Sequence, residues 1–130
     1  MGNRDYLQQL VGNRLSAVTF ILDYLQLQFD HPTLTILTPI RVLPELGAAL
    51  VAEGEEAFRN RLCEQIAKVG ASVAYRPNDA MEITFQDGGM LSVSLLPEDY
   101  SGPEAMHLHG FSVEGTSINQ FWDVIRPDIA

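Results

Sequence analysis

Two histidines in the segment His107-Leu108-His109 are the side chains of this sequence best spaced to bind a metal ion. Residues i and i+2 of a β-strand point to the same face, so both imidazoles could reach one ion. Glu104 or His31 could supply a third ligand. The alternative is a pair of histidines that face solvent. Because two histidines outside a recognised metal motif are common by chance, the sequence predicts no required metal or cofactor.

The loop that precedes these histidines, residues 97–105, combines acids and a tyrosine with turn-forming residues. Asp99 and Glu104 could perform acid–base chemistry if burial separated the pKa values of their carboxyl groups. The alternative is that these acids bond the local backbone in turns and that Tyr100 packs on a sheet. We therefore predict no catalytic residue and take five residues as the candidate binding set, with the two histidines as the candidate metal ligands: Asp99, Tyr100, Glu104, His107 and His109.

Three further residues favour structural interpretations. Cys63 lies next to an apolar helical stripe, which predicts a buried and unreactive thiol. Asp23 and Asp79 occupy similar turns, where two acids could form a cation site if the turns met, although Asp is also a common turn residue. The sequence contains no glycine-rich phosphate loop, nucleophile elbow or zinc-finger spacing.

The elements that would position these residues follow one plan twice, a helix and then three strands. Short alternations of apolar and polar residues predict strands within residues 15–37 and again within residues 73–95. A helix is predicted before each set, over Arg4–Val11 and along an apolar stripe that runs through residues 55–69. A further strand is predicted from Met106, and a last short helix is predicted to end at Ile125.

The two sets of strands also resemble each other in detail. The apolar positions of Leu25–Leu37 match those of Met81–Leu95 if the second turn holds one extra residue. We infer an internal repeat over approximately residues 3–43 and 55–96, followed by an extension over 97–130. The alternative is a chance likeness, since any two meanders of strands alternate.

These elements predict an α+β fold for residues 1–130 as a single domain. Two αβββ-like units would form a mainly antiparallel sheet of about six strands. The helices would pack on one face of that sheet, which could stay open or curl towards a barrel.

Charge separates the two halves of the chain, whose net charge is −9. Residues 1–76 hold eight acids and seven bases, whereas residues 77–125 hold eight acids and no Lys or Arg. Nucleic-acid binding is not expected, because it needs clustered bases. The acidic stretch predicts either a solvated surface or a docking face for a cationic protein.

Two segments resemble a family of small uncharacterised bacterial proteins in which a strand is followed by a loop like PEDYxGPEA. They are LSVSLLPEDYSGPEA, residues 91–105, and DYLQLQFD, residues 23–30. The resemblance implies a bacterial source and a compact single domain. It carries no activity and no site residue to this chain.

The functional expectation is a small, acidic, non-enzymatic binding or accessory domain, immunity-like in role, that docks a cationic protein partner. The alternative is a small-molecule or metal-binding enzyme with a site near residues 99–109, and a third possibility is a homodimer formed at a sheet edge. A cytoplasmic location without membrane contact is predicted, because the chain has one cysteine and no apolar run near the ~20 residues that span a bilayer.

Overall fold

The protein is mostly β, with ten strands in two antiparallel sheets and one α-helix among the described residues. The computed structural model describes residues 7–111 and 117–125, and from residue 110 onward it describes the backbone only. The strands are β1 Leu15–Ile21, β2 Tyr24–Phe29, β3 Thr33–Ile36, β4 Ile40–Leu43, β5 Val51–Ala52, β6 Gly70–Arg76, β7 Ala80–Phe85, β8 Met90–Ser94, β9 Met106–Phe111 and β10 Ser117–Ile125, and the helix α1 is Phe58–Cys63.

The first sheet has the strand order β1-β2-β3-β9-β10, and the second has the order β5-β4-β8-β7-β6. Each therefore contains a meander of three consecutive strands, extended by strands that come from elsewhere in the chain. β4 follows β3 directly along the sequence but pairs with β8 in the second sheet. In the same way β9 follows β8 but pairs with β3 in the first sheet. Each half of the chain thus supplies a strand to the sheet built by the other half.

The alternation in the sequence explains which faces meet. In β2, Leu25, Leu27 and Phe29 are buried, and the intervening glutamines are only partly covered. In β7, Met81, Ile83 and Phe85 are buried in the same alternating way. These side chains join those of the neighbouring strands in one hydrophobic cluster that draws on both sheets. Burial of this apolar surface is the main force that holds the two sheets together.

The two sheets also match in register. Leu15 opposes Phe29 across β1 and β2, with a bulge before the next pair, and Gly70 opposes Phe85 across β6 and β7 with a bulge at the same place. An isolated bridge between Arg14 and Val69 links the beginnings of β1 and β6. Corresponding residues of the two halves therefore meet at this bridge. The correspondence also takes in β9, which holds in the first sheet the place that β4 holds in the second.

The expectation of a single sheet of about six strands is wrong. Ten strands in two sheets replace it, because the chain changes sheet at Leu37–Pro39. The antiparallel pairing itself is confirmed. The helices do not form a layer on one face, because the described part of the chain contains only the six-residue helix α1 and short 3-10 turns.

The predicted helix over residues 55–69 is much shorter in the structure, where it spans Phe58–Cys63. Ala67 ends the continuation, because it adopts a left-handed conformation and donates its backbone N–H to the carbonyl of Leu15 at 2.7 Å. Ile66 is exposed. Cys63, the last residue of α1, is exposed as well, which corrects the expectation of a buried thiol.

The helices expected at the two ends of the chain also differ. Of the predicted helix Arg4–Val11, the first residues lie outside the described part, and Gln8–Leu10 forms a 3-10 turn that buries Leu10. Residues 117–125 form β10 and not a helix, because they pair with β9. No helix in the described part of the chain has the length and apolar character needed to span a bilayer.

Candidate acidic binding cleft

A cleft of about 720 Å³ opens at one end of the core, where five segments converge. We call it the acidic cleft. Its walls are the end of the β1–β2 hairpin (Phe20–Leu25), the crossover between the sheets (Ile36–Pro39), the segment after β5 (Glu53–Glu56), the first turn of α1 (Phe58 and Arg59) and two residues of the 97–105 loop (Asp99 and Ser101). A concave space of this size is in the range of ligand-binding clefts, ~300–1,000 Å³.

The hairpin supplies the apolar part of the wall. Phe20 opposes buried Leu25 across β1 and β2 and so lies on the core side of the sheet, yet 40% of its surface is exposed. Leu22 and Tyr24, at the tip of the hairpin, are 95% and 37% exposed. Large apolar side chains that remain open beside a concave space are typical of a surface that binds another molecule.

Acids dominate the charge of the cleft. Among the residues that line it, five are acidic and only Arg59 is basic; the acids are Asp23, Glu53, Glu55, Glu56 and Asp99. Carboxylates that share one concave surface reinforce each other's field, because the protein walls screen them less than water does. The cleft is therefore suited to a cation.

Backbone hydrogen bonds fix the segment after β5. The backbone N–H of Glu53 donates to the carbonyl of Ile40 at 3.1 Å, which extends the pairing beyond β5. Glu55 turns its carboxylate back on the chain and accepts the N–H of Ala52 at 2.5 Å. Partial burial raises the pKa of Glu53, and a hydrogen bond from the backbone of Ile40 opposes that rise. Glu53 therefore keeps its proton to higher pH than a glutamate in the unfolded chain.

The crossover and the 97–105 loop are tied together through Ser94. Thr38, buried in the crossover, donates its hydroxyl to the carbonyl of Ser94 at 2.7 Å. The Ser94 hydroxyl in turn donates to the carboxylate of Asp99 at 2.5 Å and accepts the N–H of Leu96 at 3.2 Å. This chain of bonds holds Asp99 at the edge of the acidic cleft.

The structure separates the candidate residues drawn from the sequence. Asp99 lines the acidic cleft, whereas Tyr100 is half-buried and packs against the core. Glu104, His107 and His109 are not among the residues that line it.

The two histidines do lie on a strand, as predicted, in β9. His107 opposes Thr35 and His109 opposes Thr33 on β3. The Nε2 of His107 contacts a carboxylate oxygen of Glu104. Burial, with a smaller contribution from the charge of His107, lowers the pKa of His109 and so favours its neutral form. Within residues 7–111, no three His, Cys, Asp or Glu side chains are grouped as a metal site would need.

Asp23 and Asp79 do not meet. Asp23 lines the acidic cleft, while Asp79 lines a smaller cleft of about 250 Å³ over the second sheet. There Arg76 donates to Asp79 at 2.8 Å and to Glu82 at 2.9 Å. Asp79 is thus already paired with a base, and the two turns do not form a shared cation site.

Sequence reasoning did not find most of the acidic cleft. Glu55 and Glu56 stand at the start of the helix predicted over residues 55–69, where acids suit the helix dipole, and Phe20 falls within a predicted strand, so none of the three indicates a cleft. The available signal was the presence of three large apolar residues, Phe20, Leu22 and Tyr24, at the end of a hairpin, where the core does not cover every side chain.

Comparison with models of protein families, with curated proteins and with solved structures gives no match to this chain.

Proposed function

We propose that this protein is a binding domain that docks a basic, partly apolar segment of a protein partner in the acidic cleft. The observation that carries the proposal is the meeting of five carboxylates with exposed Phe20, Leu22 and Tyr24 around one concave space. A cluster of carboxylates without the apolar side chains would fit an acidic surface that is only solvated. The combination of charge, open apolar side chains and concavity fits a partner in which Lys or Arg alternates with apolar residues.

The proposed docking surface differs from the one expected from the sequence, which was the stretch without Lys or Arg, residues 77–125. Four of the five carboxylates come from the first 76 residues, which are nearly neutral in total, and only Asp99 comes from the stretch without Lys or Arg. Folding concentrates acids that are dispersed in the sequence. An accessory or immunity-like role in the cytoplasm is consistent with such a surface, and the exposed thiol of Cys63 suits a reducing compartment.

The test is titration calorimetry with the peptide acetyl-Leu-Arg-Leu-Arg-Leu-Arg-amide at low and at high salt. We expect binding that weakens with salt, because exposed charges more than ~10 Å apart are already largely screened at 0.1 M and this distance shortens as salt is added. The acidic counterpart of the peptide, with Glu for each Arg, should not bind. Absence of binding of the basic peptide at low salt would contradict the proposal.

Two double variants with the same net charge separate the cleft from the overall charge. Glu55→Gln/Glu56→Gln removes two carboxylates from the acidic cleft, and glutamine keeps the acceptor oxygen that holds Ala52. Glu45→Gln/Glu98→Gln removes two exposed carboxylates that do not line it. We expect the first to weaken binding about three- to tenfold, because exposed charge pairs contribute ~0.2–1 kcal/mol each. Equal weakening in both variants would reduce the effect to net charge.

A further inference from the structure

The side chain of Arg59 lies inside the acidic cleft against an aromatic ring. Its guanidinium carbon is 5.5 Å from the centroid of the Phe20 ring, which is within the range of a cation–π contact. Phe20 belongs to the apolar wall of the cleft on the core side of the sheet. One face of its ring is already occupied by a cation of the protein itself.

The helix itself does not favour a positive charge at the position of Arg59. It is the second residue of α1, near the end where backbone N–H groups already place partial positive charge, and a base there is mildly unfavourable. Arg61, in the same helix, differs. It lies in the last turn, where a base is favourable, and pairs with Glu64 at 2.5 Å outside the cleft.

We propose that Arg59 is an internal competitor for the acidic cleft, and that a ligand cation binds by displacing its guanidinium from the Phe20 ring. This inference rests on the proposed function and concerns the selectivity of the same site. Displacement costs the protein one cation–π contact, so a ligand must offer a better cation for the ring or several cations for the carboxylates. Arg59 would thereby reject single small cations and admit a segment with more than one base.

Nuclear magnetic resonance of arginine side chains tests the displacement directly. A guanidinium stacked on an aromatic ring shows an upfield ring-current shift of its Nε–H proton, and Phe20→Leu should abolish that shift. Titration of the wild-type protein with acetyl-Leu-Arg-Leu-Arg-Leu-Arg-amide should move the Arg59 signal towards its position in Phe20→Leu. A peptide that binds while the Arg59 signal stays in place would overturn the proposal.

Binding to charge-matched variants completes the test. Arg59→Gln should bind the peptide about three- to tenfold more tightly than wild type, because it removes both the competitor and its repulsion. Arg61→Gln, which changes the net charge equally, should bind like wild type. In Phe20→Leu/Arg59→Gln the gain should shrink, since the ring is absent for either cation.

The outcomes separate the two proposals. If wild type binds and Arg59→Gln binds no more tightly, the competitor role is overturned and the proposed function stands. Tight binding by Arg59→Gln where wild type shows none would support the competitor role but overturn docking of this peptide by the wild-type cleft. If neither protein binds, both proposals are overturned. Equal gains in Arg59→Gln and Arg61→Gln would also overturn the competitor role, because net charge would then explain the effect.

Discussion

Gly12 and Ala67 occupy corresponding positions ahead of β1 and β6 and share one left-handed backbone conformation, with φ of 83° and 82°. Gly12 donates its N–H to the carbonyl of Gly70 at 2.8 Å, and Ala67 donates to the carbonyl of Leu15 at 2.7 Å. These two hydrogen bonds flank the bridge between Arg14 and Val69, and we call this contact between the two halves of the chain the joint. A left-handed conformation costs an L-residue ~1–2 kcal/mol, so Ala67 is held there by the joint and not by its own preference.

Ala67→Gly should therefore stabilise the protein. Glycine removes the ~1–2 kcal/mol cost of the left-handed conformation but adds an entropic cost of ~0.5–1 kcal/mol, because it is more flexible in the unfolded chain. We expect the free energy of unfolding to rise by roughly 0.5–1 kcal/mol. Urea denaturation would measure it. The control Ala74→Gly lies in β6 outside the left-handed region and should destabilise. A loss of stability in Ala67→Gly would show that the joint does not strain this residue.

Gly70 is predicted to tolerate no side chain. A Cβ at this buried position would lie 2.5 Å from the carbonyl oxygen of Leu10, so the backbone of the 3-10 turn would have to move. We expect Gly70→Ala to lower the free energy of unfolding by about 1–3 kcal/mol.

Gly102→Ala is the matched control for Gly70→Ala. A Cβ there meets nothing within 4 Å and the backbone is not left-handed, so the change should be nearly neutral. Thermal unfolding of both variants would decide the matter. Equal effects of the two substitutions would contradict the packing described around Gly70.

Because of Glu53, the stability of the protein and its affinity for a cationic peptide should change in opposite directions with pH. Its folded pKa is raised above 4.5, so just above pH 4.5 the folded state binds more protons than the unfolded state. Stability relative to Glu53→Gln should therefore fall as pH rises through that interval. A cationic peptide prefers the ionised carboxylate, so its binding should tighten over the same interval.

Denaturation and calorimetry at matched pH would measure both trends against Glu53→Gln, which lacks the titrating group. Parallel trends, or identical curves for the two proteins, would contradict the placement of Glu53 at the cleft.

The histidines of β9 are predicted not to hold a metal ion. His107 already contacts Glu104, and the part of the chain described by the structure contains no suitable group of three ligands. We expect metal analysis of the purified protein to show less than one zinc or nickel per chain, with no change in His107→Ala/His109→Ala. Stoichiometric metal that the double variant loses would instead favour the alternative of a metal-binding enzyme near residues 99–109.

Local patterns in the sequence were sufficient to predict the meanders. The alternation of Leu25, Leu27 and Phe29 needs only a half-buried strand, and the structure confirms it. The change of sheet at Leu37–Pro39 could not be predicted in this way. Ile40 is fully buried in the second sheet, but an apolar residue at this position suits a strand of either sheet, so the pattern of apolar residues does not tell which sheet its strand joins.

The acidic cleft was beyond local reasoning for a related reason. Asp99 is among the candidates that the sequence offers, but the other four carboxylates of the cleft lie more than forty residues away from it in the chain and meet it only in the folded structure. The turns that follow α1 stop at Ala67, which donates its N–H to the carbonyl of Leu15, and the high intrinsic helix propensity of alanine gives no sign of this stop.

Because β4 and β9 each pair in the sheet built by the other half of the chain, the stability of each half depends on the other. If either half lost its structure, it would withdraw a paired strand from the surviving sheet and leave an unprotected edge there. A partly unfolded molecule thus loses the contacts of one half and also the pairing of a strand in the other, which favours a single cooperative unfolding transition. A protease cut in the exposed segment after β5 would accordingly yield two fragments that stay associated until denaturant is added.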